Sequence, residues 1–272
     1  PNVTRQIKEL ETELEVKLFR RNGRNIVLTE AAQVLLQEIG RLENAEAVLR
    51  RQVINAAARG RHYQIGATMT AGGYVLPAML ATHLKKFPEC RIDLTIANTH
   101  EITEKLKCRQ LDLALVEGPF DQNFFIKELL LEDELQAVGA PSMMPATDTF
   151  PLTAYLQSGS RLILREKGSG TRYFLDAFLQ ANRLAAGRGQ IMEVNSFDAI
   201  KQLTADGAGI TIISEYVVRE ECAQGLLTAK PLREGKIRRE MNFIYTPDCP
   251  SGFAEGFIRF CRHQLMDGAK RA

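Results

Sequence analysis

At 272 residues, 45% of them hydrophobic and 25% charged, the chain has the composition of a globular protein with apolar material for two or three packed domains. Its net charge of +2 is too small to make the whole molecule a polyanion binder, so a nucleic-acid or anion site has to come from local clustering. No run approaches the roughly 18 apolar residues that span a bilayer, and the N-terminus lacks a secretory-signal pattern, so the expected compartment is cytoplasmic with no membrane partner.

In the first stretch Val3, Ile7, Leu10 and Leu14 recur at the spacing of one face of an amphipathic helix, and Pro1 suits its first turn. The other face carries Asn2, Thr4, Arg5, Gln6 and Lys8 early and Glu9, Glu11, Glu13 and Glu15 late, so only the first half is suited to phosphates or base edges. KLFRRNGRNIVLT follows, in which Asn22-Gly23 reads as a two-residue hairpin turn and Lys17, Arg20, Arg21 and Arg24 supply positive charge. A helix offering Arg and Gln at its start, then a basic hairpin, has the parts of a winged helix-turn-helix. By spacing alone, a solvated helix with an exposed loop accounts for the residues equally well.

The run PNVTRQIKELETELEVKLFRRNGRNIVLTEAA resembles the recognition helix, wing and linker start of LysR-type transcriptional regulators. The resemblance implies binding to double-stranded promoter or operator DNA, with Arg5 and Gln6 nearest the bases and Thr4, Lys8, Arg20, Arg21 and Arg24 on phosphates. In that family a scanning helix and most of the turn precede this point, so the sequence corresponds to a member lacking its first helices.

From Thr29, a candidate N-cap, to about Ala58 there is no proline and one glycine, Gly40, which allows a single helix roughly 45 Å long. Leu35, Ile39, Leu42, Leu49, Val53 and Ala56 follow the steps of a coiled-coil seam broken by Glu46. So narrow a stripe on so long a helix points to a partner helix and a homodimer; the competing arrangement lays the helix on its own domain. The resemblance implies the former, with a homotetramer as a further assembly and RNA polymerase as a further partner.

Beyond Gly60-Arg61-His62 the pattern becomes alternating strand and helix. Strands are predicted over 63–67, 92–97, 111–116, 162–165, 191–194, 210–213 and 242–246, and helices over 74–87, 102–107, 172–182, 197–206 and 252–266. The order predicts parallel sheets covered on both faces. Two such units on either side of a crossing near 139–141, with a return near 233–238, make a two-lobed α/β domain with a cleft at the carboxyl ends of its strands. The expected division is 1–28 as a partial winged helix-turn-helix, 29–60 as a linker and dimerisation helix, and 61–272 as an effector domain of periplasmic-binding-protein-like form. Its lobe I covers about 61–138 and 239–272, and its lobe II about 142–232.

Several strand-to-helix junctions suit a small anion, because exposed N–H groups and the helix dipole favour negative charge there. Thr68, Thr70 and the backbone of Ala71 and Gly72 follow the first strand of this domain; Asn98, Thr99 and His100 follow the second. Gly168, Ser169, Gly170 and Thr171 precede a helix near Arg165, Lys167 and Arg172, and Asn195 and Ser196 precede another. Each junction alone is more often a plain N-cap; it is their recurrence at the strand ends of both lobes that points to an anion. IGATMTAGGYVLPAMLATHLKKFPECRIDLTIANTHEITEKLKCRQLDLALVEG resembles the first half of a LysR-type effector domain, and LREKGSGTR and ADGAGITIIS resemble its second lobe. By that resemblance Thr68, Thr70, Asn98 and Thr99 match effector-meeting positions, with Ser169 and Thr171 in the matching turn of lobe II, while Asp112 looks like a fold residue.

Four scattered histidines and the lack of HExxH, GxSxG or a P-loop leave catalytic chemistry without a seat, and no metal or cofactor is expected. The five cysteines are odd in number and widely spaced with no CxxC, which suits reduced thiols. The competing function is a solute-binding transport receptor without a DNA role, for which the first 60 residues would have no use.

Overall fold

The computed structural model describes residues 2–23, 25–57, 62–187, 189–247, 249 and 252–269, in two units, 1–58 and 59–272. The N-terminal periodicity folds as α1 (Asn2–Glu13), followed by the hairpin β1 (Phe19–Asn22) and β2 (Asn25–Leu28) and by α2 (Glu30–Ala57). No residue of α1 is fully buried among the described residues: Ile7 and Leu10 of its apolar face are half-buried, Val3 and Leu14 exposed. Glu11, expected to be one of a solvated acidic run, instead ties the helix to the hairpin. Its carboxylate accepts from the Leu18 N–H and from Lys17 Nζ, both at 2.8 Å, and the Lys17 bond holds its pKa below the ordinary value. The turn falls one residue later than expected: Asn22 pairs with Asn25, and Gly23, at φ +64°, opens the turn where left-handed backbone favours glycine. Thr29 is the expected cap of α2, donating to Lys17 O at 2.7 Å and accepting from Ala32 N at 3.2 Å.

The second unit begins with β3 (His62–Ala67), which leads through a π-helical turn (Ala71–Val75) into α3 (Leu76–Lys86). Next come β4 (Arg91–Ile96), α4 (Thr99–Lys107), β5 (Leu113–Val116) and the long β6 (Ile126–Gly139). Lobe II follows with α5 (Leu152–Gln157), β7 (Leu162–Arg165), α6 (Gly170–Ala181), β8 (Ile191–Val194), α7 (Phe197–Ala205), β9 (Ile210–Ser214), α8 (Glu215–Ala223) and β10 (Thr228–Lys230). The chain returns on β11 (Ile237–Tyr245) and ends in α9 (Phe253–Ala269).

One sheet runs through both lobes in the order β4-β3-β5-β11-β6-β9-β7-β8, with β10 on β6. Within each lobe the pairs β3–β4, β3–β5, β7–β8 and β7–β9 are parallel, as expected. The crossing differs from the expectation of parallel strands throughout: β6 and β11 pair antiparallel over their length and join the lobes. Alternation along β5 sends Leu113 and Leu115 to a core with α3 and α9, and Ala114 and Val116 to a core with α4. Lobe II is likewise packed on both faces, against α5 and α6 on one and α7 and α8 on the other. Among the described residues no helix is long and apolar enough to cross a membrane.

Candidate functional site

Two helix starts from different lobes converge where β3, β5 and β7 end. Asn98 caps α4, its Oδ1 accepting from Glu101 N at 2.9 Å while its Nδ2 donates to Glu101 Oε1 at 2.7 Å. Ser169 caps α6, its hydroxyl accepting from Arg172 N at 3.1 Å. Thr68, Asn98, Thr99, Glu117, Ser169 and Thr171 line one small cavity between them, of about 10 Å³, room for at most a single water. It opens toward a groove of about 510 Å³ that shares Thr99 and Ser169 and adds His100, Lys167, Arg172 and Tyr173. The lobes touch directly: a Cβ on Gly170 would stand 3.1 Å from Glu117 O. The Thr99 hydroxyl is buried and has no hydrogen-bond partner among the described residues.

Beneath the cavity lies a buried charge network. Arg239 on β11 donates from Nε to Asp133 Oδ2 at 2.8 Å, and Asp133 sits opposite it on β6 and accepts from Ser214 Oγ at 2.8 Å. The same guanidinium donates to Thr171 of lobe II at 3.0 Å and to Thr70 of lobe I at 3.3 Å, so one side chain on the crossing strands holds a hydroxyl from each lobe. Glu117 bonds the Thr68 hydroxyl and lies 3.7 Å from Arg239. Complete burial pushes its pKa up, and the Arg239 charge opposes this only in part. The arginines of the lobe II turn are paired: Arg165 with Glu166 at 2.7 Å and stacked over Phe197, Arg172 with Asp176 at 2.8 Å.

The structure therefore gathers Thr68, Asn98, Thr99, Ser169 and Thr171 but divides their work. Thr70 is fully buried and engaged by Arg239, and the Ala71 side chain belongs to the lobe I core. Asn195 is exposed, and the Ser196 hydroxyl caps α7 by accepting from Ala199 N at 3.3 Å; neither lines the cleft cavity. Glu117, Asp133 and Arg239 were not anticipated. Their signal is one of phase: Arg239 falls in register with buried Ile237 and Met241, and Asp133 with buried Leu135 and Ala137, so strand alternation sends these charges inward. Asp112 accepts from Gln64 N at 2.8 Å and so pins β3.

In the N-terminal unit Thr4, Arg5, Gln6 and Lys8 are exposed on the first half of α1, with Arg5 reaching Glu9 at 3.5 Å. Arg20 and Arg21 are exposed neighbours on β1, and alternation points them to opposite faces of the hairpin. Arg24 lies outside the described residues.

Two family profiles match the chain: the LysR substrate binding domain over residues 56–266 and the bacterial regulatory helix-turn-helix protein, lysR family, over residues 1–33. The HTH-type transcriptional regulator CysL of Bacillus subtilis (strain 168) is 28% identical over 252 residues, covering 91% of this chain and 82% of the relative. The regulator YeiE of Escherichia coli (strain K12) is 32% identical over 230 residues, covering 83% of this chain and 75% of the relative. The regulatory domain of Synechocystis PCC6803 CcmR, solved in complex with 2-PG, superposes with a TM-score of 0.67 at 23% identity, covering 76% of this chain and 97% of that one.

Proposed function

This chain belongs to the LysR family of DNA-binding transcriptional regulators, whose activity a small-molecule effector modulates, and on that footing we propose where its effector and DNA contacts lie. The effector is a small anion, bound where the N-termini of α4 and α6 meet in the interlobe cleft. The observation that carries this is the Thr99 hydroxyl, buried and unpartnered among the described residues, facing the same cavity as Ser169 at the start of a second helix. Two positive helix ends and converging hydroxyls favour an anion, because the nearby arginines are already paired. The CcmR complex supports a small molecule as occupant of this fold. The cavity has too little room for such an anion, so binding requires the lobes to part and re-close around it. An effector that binds one lobe geometry better than another shifts the population between them, and that difference is the regulatory signal.

Residues 1–28 serve DNA reading, 29–60 pair two subunits as a homodimer that associates further into a tetramer, and 61–272 sense the effector. Arg5 and Gln6 lie nearest the bases, while Thr4, Lys8, one of Arg20 and Arg21, and Arg24 meet phosphates. The regulator works in the cytoplasm, presents RNA polymerase with its DNA-bound form and carries no catalytic group. The effector site is tested by titration calorimetry with sulfate, phosphate and small carboxylates. For the anion that binds, Thr99→Val and Ser169→Ala are each expected to weaken binding about tenfold or more, as a hydrogen bond to a charged group predicts. Wild-type affinity in both variants removes the assignment.

A further inference from the structure

The inner chamber of the cleft has two polar walls, and only one of them is open. On that wall the buried Thr99 hydroxyl, without a hydrogen-bond partner among the described residues, stands beside Ser169. The other wall is already filled by the chain itself. Thr68 follows β3 and donates its N–H to Leu115 O on the parallel strand β5 at 3.1 Å, which sets it level with the end of that strand. Glu117, one residue past β5, keeps the phase of Leu113 and Leu115, whose side chains face the core beneath α3. Alternation so delivers its carboxyl to the π-helical turn that opens α3. There the carboxyl accepts from the Thr68 hydroxyl, and the hydroxyl and N–H of Thr70 hydrogen-bond to it as well. Arg239 stands 3.7 Å from the carboxyl and donates to that same Thr70 hydroxyl at 3.3 Å, so the guanidinium backs the cradle. Thr68, Thr70, Glu117 and Arg239 are each no more than 3% exposed. Hydroxyls, a helix-start N–H and a nearby guanidinium are the partners with which proteins hold a carboxyl group of a ligand. Here that group is tethered to the cradle by its own backbone.

We propose that Glu117 is a built-in ligand of the cleft: its carboxyl takes one of two acid-binding positions in the chamber and leaves the effector only the other, at Thr99 and Ser169. The effector therefore brings a single anionic group into the chamber. That consequence rests on the effector site proposed above; the filling of the cradle does not. Cutting Glu117 back to alanine turns the cradle into a vacant site for a free short monocarboxylate. The piece removed has the size of acetate, and benzoate exceeds it.

Thermal melting in acetate is the test. Glu117→Ala is expected to melt below the wild type. Acetate, at a concentration about ten times its dissociation constant, is expected to raise the variant's melting temperature by about 3–6 °C more than the wild type's. Benzoate gives no such excess, and neither does acetate with Glu117→Gln, whose amide still fills the cradle. Because acetate is also a candidate for the effector position, the comparison is repeated with Ser169→Ala added to both proteins, and the excess persists. Where Glu117→Ala is too unstable to purify, the yield of folded protein on refolding in acetate against chloride carries the same test. The proposal is overturned if acetate does no more for the variant than for the wild type, or if benzoate does as much as acetate. It is equally overturned if Ser169→Ala removes the excess, which places the acetate at the effector position instead. A wild type that binds no small anion strikes out the effector site, while acetate rescue of Glu117→Ala still upholds the filled cradle.

Discussion

Glu117 is the residue on which the chemistry of the cleft turns. It is the only carboxylic acid among the described residues lining the inner cavity, and burial raises its pKa against the pull of Arg239. A folded-state pKa above the unfolded one means the native protein holds this proton more tightly. The associated stability is full below the ordinary carboxylate range and is lost as pH rises through the raised value. Neutral Glu117 tolerates an anion at Thr99 and Ser169; ionised Glu117 repels it. Anion affinity is therefore expected to fall as pH rises through that same window, and Glu117→Gln, which keeps the neutral shape, is expected to flatten the profile. Calorimetric titration across a pH series decides it: an unaltered profile in the variant assigns the dependence elsewhere. Sequence alone could not reach this. The carboxylate at the end of LALVEG looks like the polar end of a strand until Arg239, 122 positions later, is folded beside it.

At the scale of elements, legibility followed the reach of the interactions. The strands at Leu162–Arg165 and Ile191–Val194 were readable to the residue, because each is an apolar-rich run bounded by turn residues, a local pattern. The crossing strand Ile126–Gly139 escaped, since IKELLLEDELQAVG is as good a helix composition as a strand one. Only its long-range pairing with β11 settles the matter. The same physics redraws the wing. The arginines at 20 and 21 looked like one basic cluster in the sequence, but successive strand residues face opposite ways, and on the proposed DNA contacts one of them is better placed toward a duplex than the other. Alanine at one of the two is expected to reduce the salt dependence of operator binding by about one unit of slope, as one lost phosphate contact requires, and alanine at the other to leave it unchanged. Fluorescence anisotropy on an operator duplex over a salt series measures both, and equal losses would refute the division.

At the scale of the whole molecule, the proposed assembly rests on the long helix. On α2 the seam expected from the sequence stays uncovered: Leu42 is 70% exposed, Leu49 60% and Val53 60%. Leu36 and Ile54, about five turns apart on another side of the helix, are exposed as well, more apolar surface than one seam uses. Burying each such leucine contributes roughly 1.5–3 kcal/mol, so Leu42 and Leu49 from both subunits together supply on the order of 6–12 kcal/mol, comparable with what association costs. Their loss is therefore enough to decide whether two chains pair. Leu42→Glu with Leu49→Glu also places charges where the seam would bury them. The double variant is expected to sediment as a 30.4 kDa monomer at concentrations where the wild type is at least a dimer. Glutamate at Leu36 and Ile54 is expected to spare the dimer and remove only larger assemblies. Should the first variant keep the wild-type mass and instead lose thermal stability, α2 lies on its own chain and the pairing of subunits has to be sought on another surface.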